Sequence, residues 1–132
     1  KGHHVHSIGP QALVYDAVAL MARHGVGALL VMDGDRLVGV FSERDYTRKI
    51  TLQGRNSKET LVADIMTVDV FTVSATTRTH DCMALMSAKK IRHLPVLDGD
   101  RVLGMISIRD IMDDIIADHE STIATLHSYI HS

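Results

Sequence analysis

Two short stretches of the chain are apolar at every position, Ala28 to Met32 and Leu37 to Phe41, and only Asp33-Gly34-Asp35-Arg36 separates them. Runs this short, bounded by turn residues, predict two buried strands joined as a hairpin. Leu94 to Leu97 and Val102 to Ile106 repeat the arrangement around Asp98-Gly99-Asp100. Ahead of each hairpin the period changes. Val14, Ala17, Val18 and Met21 fall at i, i+3, i+4 and i+7, and Cys82, Met83 and Met86 occupy the matching face later on, so each hairpin is preceded by a helix with an apolar inner side. Earlier still lie short extended pieces, Val5 to Ile8 and Val70 to Val73. Each hairpin ends at a serine, Ser42 or Ser107, suited to an N-cap, and in the first copy Glu43 follows where a helix favours negative charge. A second helix therefore opens at each serine. The first should run to about Gln53, where Gly54-Arg55-Asn56-Ser57-Lys58 reads as a polar linker. The second should continue from Ile108 past Ile116 into a tail in which Ile123, Leu126 and Ile130 keep a partial helical stripe.

The predicted unit is strand, helix, strand, strand, helix, twice over. Laying Tyr15–Ile50 on His80–Ile115 at a constant shift of 65 residues gives fifteen identities in thirty-six positions without a gap, where chance gives about two or three. The expected architecture is α/β (α+β), two copies of one supersecondary unit related by a pseudo-twofold axis. The divisions are repeat one over about 3–53, a linker over about 54–61, repeat two over about 62–118 and a C-terminal helix to about 131. Such a helix is expected to pack on a partner or on its own module.

With 132 residues and 45% hydrophobic content the chain suits a single compact module. A net charge of -2, from fourteen scattered basic residues against sixteen acidic ones, gives no footprint for nucleic acid or a membrane surface. No apolar run reaches the eighteen or so residues that cross a bilayer, and the first residues do not resemble a signal peptide. A cytoplasmic setting is the default expectation, with an upstream segment allowed for because the chain begins at Lys1. The single Cys82 excludes an internal disulfide and sits on a predicted inner helix face, where it reads as a core thiol.

Candidate chemistry gathers at the strand-to-helix corners. Ser42 with Asp45, and Ser107 with Asp110, set a hydroxyl and a carboxylate three residues apart, on one side of a helix. An ionised carboxylate accepts from two vicinal hydroxyls, as a ribose offers, and a serine both donates and accepts. The alternative is that each serine caps its helix while each aspartate is solvated. Repeat two also carries Arg92-His93 at the start of its hairpin, where repeat one has Gly27-Ala28. An Arg fork with a neighbouring imidazole suits phosphate oxygens. One site is therefore expected from Arg92, His93, Ser107 and Asp110, with a base lying near Ala12 and Ala17. A second, around Ser42, Arg44 and Asp45, lacks the Arg-His pair. The pairs Lys89-Lys90 and Arg48-Lys49 read as solvated helix ends within reach of a phosphate. His3-His4-x-His6 and the pair His127 and His131 present imidazoles of the kind that ligate metals, but without a carboxylate or thiolate at a matching spacing, and no metal is expected. Gly25-Val26-Gly27 lacks a third glycine and precedes a strand, so it is not a dinucleotide loop.

The layout, the Asp-Ile-Met-Thr at Asp64 to Thr67, the Arg-His-Leu-Pro-Val at Arg92 to Val96 and the two Gly-x-x-Ser-x-x-Asp corners together resemble the cystathionine-beta-synthase (CBS) domain family, over nearly the whole chain. The resemblance implies a Bateman module, a pair of repeats that often associates as a disc-shaped homodimer and takes adenine nucleotides into the clefts between repeats, with the Ser and Asp on ribose and nearby phosphate. No nucleophile-base pair, paired carboxylates or open metal site is assembled by the local sequence. The leading expectation is a non-catalytic, energy-sensing regulatory module for AMP or NAD, with ADP and ATP as further candidates, acting on an effector protein that the sequence does not identify. The alternatives are a ligand-free dimerisation module and a metal-responsive binder.

Overall fold

The computed structural model describes residues 6–116. Repeat one runs β1 (Ser7–Ile8), α1 (Val14–His24), β2 (Ala28–Asp33), β3 (Arg36–Ser42) and α2 (Glu43–Asp45), which widens into a π-helical segment, Tyr46–Thr51. A one-turn helix α3 (Val62–Ile65) follows, and then repeat two: β4 (Val73–Ser74), α4 (Thr79–Lys89), β5 (His93–Asp98), β6 (Arg101–Ser107) and a helix α5 through residues 108–116. Each repeat forms a three-stranded sheet in which the first strand pairs parallel with the second and the second antiparallel with the third. The mixed α/β fold of two tandem units is thus the one the repeat predicts.

The repetition extends to fine geometry. The β2–β3 register shifts between Val31 and Met32, and the β5–β6 register shifts between Val96 and Leu97, the same place 65 residues on. In both hairpins the two-residue loop opens on a glycine at positive φ, Gly34 at 63° and Gly99 at 61°, the backbone a tight hairpin turn needs. The expected helical stripes face inward: Val14, Ala17 and Met21 are buried on α1, and Cys82 and Met86 on α4. The strands hold the largest buried side chains, Phe41, Leu29, Leu30 and Leu94 among them.

Three local expectations shift. The short strand expected at Val70–Val73 forms at Val73–Ser74, and the helix expected to reach about Gln53 is regular only to Asp45 before widening. Val62 and Ile65 of α3, which the expected division over 54–61 and 62–118 puts at the start of repeat two, are buried in the same core cluster as Val14, Leu29 and Phe41 of repeat one. Leu13 and Leu61 form an isolated antiparallel bridge, and Val62 N donates to the Ala12 carbonyl at 2.8 Å, pinning α3 onto repeat one. The expected C-terminal stripe at Ile123, Leu126 and Ile130, and the imidazoles of His3, His4, His127 and His131, lie outside the described residues.

Candidate functional site

Beyond α3 the chain lies as a strap over β3. Val40 and Thr67 exchange both backbone hydrogen bonds at 2.9 Å. Gly39 makes the approach feasible, since a Cβ there would stand 2.9 Å from the Thr67 carbonyl and 2.8 Å from the Met66 sulfur. The strap then continues along one side of a cleft of about 590 Å³ between the repeats. Repeat one contributes Gly27, Ser42, Glu43, Arg44, Asp45, Arg48 and Lys49; repeat two contributes Ile91, Arg92, His93 and Pro95; the strap adds Thr67, Asp69, Val70 and Phe71. The lining mixes the cations Arg44, Arg48, Lys49 and Arg92 with the carboxylates Glu43, Asp45 and Asp69 and with apolar Val70, Phe71 and Ile91, in a volume that takes a small ligand.

At the repeat-one corner both readings of the Ser-Asp spacing meet in one arrangement. Ser42 and Asp45 form a reciprocal capping box. Asp45 Oδ2 accepts from the Ser42 backbone at 3.0 Å and the Ser42 hydroxyl at 3.1 Å. Its Oδ1 accepts from the Thr67 hydroxyl at 2.9 Å and faces Lys49 Nζ at 3.1 Å. Asp45 is only 5% exposed, so four donors surround a buried carboxylate. Lys49 also donates to the Ile65 carbonyl at 2.9 Å. Its role corrects the expectation of a solvated helix end: burial of Asp45 draws the ammonium inward to neutralise it.

The repeat-two corner has the same cap without the enclosure. Asp110 accepts from the Ser107 backbone at 2.9 Å, and its own amide donates to the Ser107 hydroxyl at 3.1 Å. Asp110 is exposed, and neither residue lines the large cleft. Arg92 and His93 do line it, together with Ser42, Arg44 and Asp45. The Arg-His pair thus lines the cleft that holds the repeat-one corner, while Ser107 and Asp110 do not. His93 nevertheless pairs with Ser107 across β5 and β6, so it stands between the two corners. Burial pushes the His93 imidazole below its ordinary value, Asp110 acts to raise it, and Arg92 lowers it further.

Two further expectations need correction. Ala17 is fully buried in the repeat-one core and offers no surface to a base, and Ala12 packs against that core outside the cleft lining. Arg44 spans the repeats, donating to the Lys90 carbonyl at the end of α4. Lys90 holds φ at 57°, the left-handed cap that Gly25 supplies at the equivalent point of repeat one. The sequence reading missed Thr67, Val70 and Phe71 as cleft residues, because no local period marks a strap whose place is set by a glycine 28 positions earlier. Lys49 carried a usable signal in its i+4 spacing from Asp45. Cys82 is buried, and that burial, with Asp81 beside it, pushes its thiol up, as expected of a core residue. Among the described residues no group of three His, Cys, Asp or Glu side chains is placed to hold a metal, and no helix is long and apolar enough to cross a membrane.

Comparison with known proteins agrees with this construction. A mitochondrial CBS domain-containing protein of Arabidopsis thaliana, CBSX3, is 43% identical over 122 residues, covering 89% of this chain and 59% of that protein. An uncharacterised protein of Methanopyrus kandleri is 33% identical over 94 residues, 70% of this chain and 48% of its own length. The chain thus spans about half to three fifths of these relatives. Among solved structures, a protein with CBS domains from Burkholderia ambifaria superposes with a TM-score of 0.86 at 50% identity, covering 89% of this chain and 86% of the other. A CBS domain protein of Pyrobaculum aerophilum complexed with AMP gives 0.73 at 27% identity, with 80% and 81% covered. The CBS domain family matches twice, over residues 2–51 and 62–117, and the chain belongs to that family as a tandem pair of CBS repeats.

Proposed function

We propose that this CBS pair is a non-catalytic regulatory module that takes an adenine nucleotide, AMP or NAD first and ADP or ATP after them, into the cleft between its repeats. The observation that carries the reading is the cleft, whose lining includes Arg92 and His93 from repeat two and Arg48 from repeat one together with apolar Val70, Phe71 and Ile91. Phosphates sit against the guanidinium groups and the base against the apolar wall. The AMP complex of the Pyrobaculum relative supports the ligand class. Both repeats line the cleft, so a ligand that fills it favours one relation of the repeats over others, and a homodimer would pass that preference to its partner and to an effector protein.

A thermal-shift titration with AMP, ADP, ATP, NAD, S-adenosylmethionine and GMP tests the reading. A ligand at a hundredfold its dissociation constant adds about 2.7 kcal/mol to stability. Selective stabilisation by an adenine nucleotide, lost in Arg92→Ala, supports the module as a sensor. A flat response to all of them would favour the ligand-free dimerisation module, for which the internally satisfied Ser42 and Asp45 are the supporting observation.

A further inference from the structure

The place that α3 and the strap fill on repeat one has a counterpart on repeat two. Among the described residues that counterpart is a hollow of about 280 Å³, with Ala75, Thr77, Thr79, Cys82, Gly104 and Met105 in its lining. A shift of 65 residues carries these onto Pro10, Ala12, Val14, Ala17, Gly39 and Val40, and all six meet α3 or the strap. The Pro10 and Ala12 carbonyls accept from the amides of Ala63 at 2.9 Å and Val62 at 2.8 Å. Val14 and Ala17 pack in one cluster with Val62 and Ile65. Gly39 lies against Met66, and Val40 is bridged to Thr67. Repeat two thus keeps the shape of the berth, including the glycine that lets another backbone approach its last strand. An apolar hollow left open forfeits the contacts its lining could make, which favours an occupant.

Chain spacing selects the occupant. Ile8 pairs with Val31 as Val73 pairs with Val96, so β1 and β4 are in the same register, and Gly2 precedes Ile8 by the same distance in sequence as Thr67 precedes Val73. Residues 1–5, which lie outside the described residues, therefore have the length that lets residues 66–70 run from β3 to β4. The C-terminal tail falls at the same shift, with Leu126 and Ile130 matching Leu61 and Ile65, but it puts His127 and His131 where Val62 and Met66 pack, and an imidazole in an apolar berth loses hydration without gaining a partner. We propose that residues 1–5 cross β6 as the strap crosses β3, with Gly2 and Met105 exchanging backbone hydrogen bonds and the stem of Lys1 covering Gly104 while its ammonium stays in water. Each repeat is then closed by the segment that leads into the other, and the chain entering β1 packs as part of repeat two.

The test is paramagnetic broadening of amide signals in the full chain, with a nitroxide attached through Lys1→Cys in one sample and through Leu126→Cys in another. Cys82 is buried, so the added thiol is the one that reacts. The label at position 1 is expected to broaden Leu103 and Met105 in β6 more than Val40 in β3, and hydrogen exchange at the Gly2 amide is expected to slow by roughly tenfold or more against an unstructured chain, as a bridged amide does. Broadening of β6 by the label at 126, with none from position 1, overturns the proposal and gives the hollow to the C-terminal tail. Broadening seen only when labelled chains are mixed with isotope-enriched unlabelled ones also overturns it, because the occupant is then a second copy. A β6 that neither label reaches, with fast exchange at Gly2, overturns it and leaves the hollow open.

Discussion

Asp45 and Asp110 occupy equivalent positions in the repeat and cap their helices in the same way, yet their surroundings make them different residues. Around Asp45 the Thr67 hydroxyl and the Lys49 ammonium close a buried network; Asp110 is exposed and bonded to its own cap. Asp45→Asn should therefore lower stability by about 2–4 kcal/mol, because it leaves Lys49 facing a neutral amide, whereas Asp110→Asn should cost about 1 kcal/mol or less. Urea unfolding of both variants measures the difference, and similar losses would deny the network. Lys90 supplies the converse case, an improvable residue. A side chain in the left-handed region costs about 1–2 kcal/mol over glycine, so Lys90→Gly should raise stability by about 1 kcal/mol while the carbonyl that accepts from Arg44 stays in place. His93 adds a pH dependence. It faces Arg92 just before its strand, Asp110 and Ser107 from the second corner, and Glu43 beyond Gly27. With the folded imidazole held below 6.5, the unfolded chain takes up a proton that the folded chain refuses. Stability from this group is complete above about pH 6.5 and declines as pH falls towards the folded value. An anion bound beside it reverses the preference, so phosphate ligands should bind more tightly as pH drops through the same window. Urea midpoints and ligand titrations at pH 5.5 and 7.5, with His93→Gln as the flat control, check both signs.

At the scale of elements, what local pattern decides was readable and what distance decides was not. Both hairpins, both long helices and their buried residues follow from runs, turns and stripes within a dozen residues, as Ala28–Asp33, Arg36–Ser42 and the α1 stripe show. The two corners also declared themselves, since a serine three residues before an aspartate is a local signal. The strap did not. Residues 54–61 look like a linker, and nothing nearby reveals that Val62 and Ile65 complete the core of the preceding repeat or that Thr67 will reach Asp45, 22 positions back. The presence of Arg92 and His93 in the cleft beside the repeat-one corner has the same origin: a repeat alignment shows which residues are equivalent, but not which corners a residue between the repeats faces. Gly39 is the element-scale test of the strap. A methyl there meets a backbone oxygen and a sulfur below 3.0 Å, so the strap must lift, and Gly39→Ala should cost about 1–3 kcal/mol and speed hydrogen exchange at the Thr67 amide. Gly27→Ala is the contrasting change. Its Cβ would meet Glu43 at 3.0 Å and His93 at 3.4 Å, side chains that line the cleft, so ligand affinity should fall more than stability. Should exchange at Thr67 stay slow in Gly39→Ala, the strap is held by something other than β3.

For the whole molecule, the question the strap poses is whether two similar units fold as one. Repeat one is incomplete without Val62 and Ile65, which reach its core from the far side of the linker, and the same segment leads directly into β4 of repeat two. Arg44 ties the corner of repeat one to the end of α4, and His93 approaches Gly27 across the cleft. The repeats have separate cores, with α3 packed into the first; independent repeats would unfold separately, and coupled ones together. Ile65→Ala separates these cases, because the deleted side chain belongs to repeat one by packing and to the approach of repeat two by sequence. Loss of a buried isoleucine should cost about 2–4 kcal/mol. If the module is one cooperative unit, native-state hydrogen exchange at Leu30 in β2 and at Leu94 in β5 should speed by the same factor, as both amides open through the same global transition. Acceleration confined to β2 would mean that the repeats fold independently, and that a ligand in the cleft acts by clamping two autonomous units rather than by shifting the equilibrium of one.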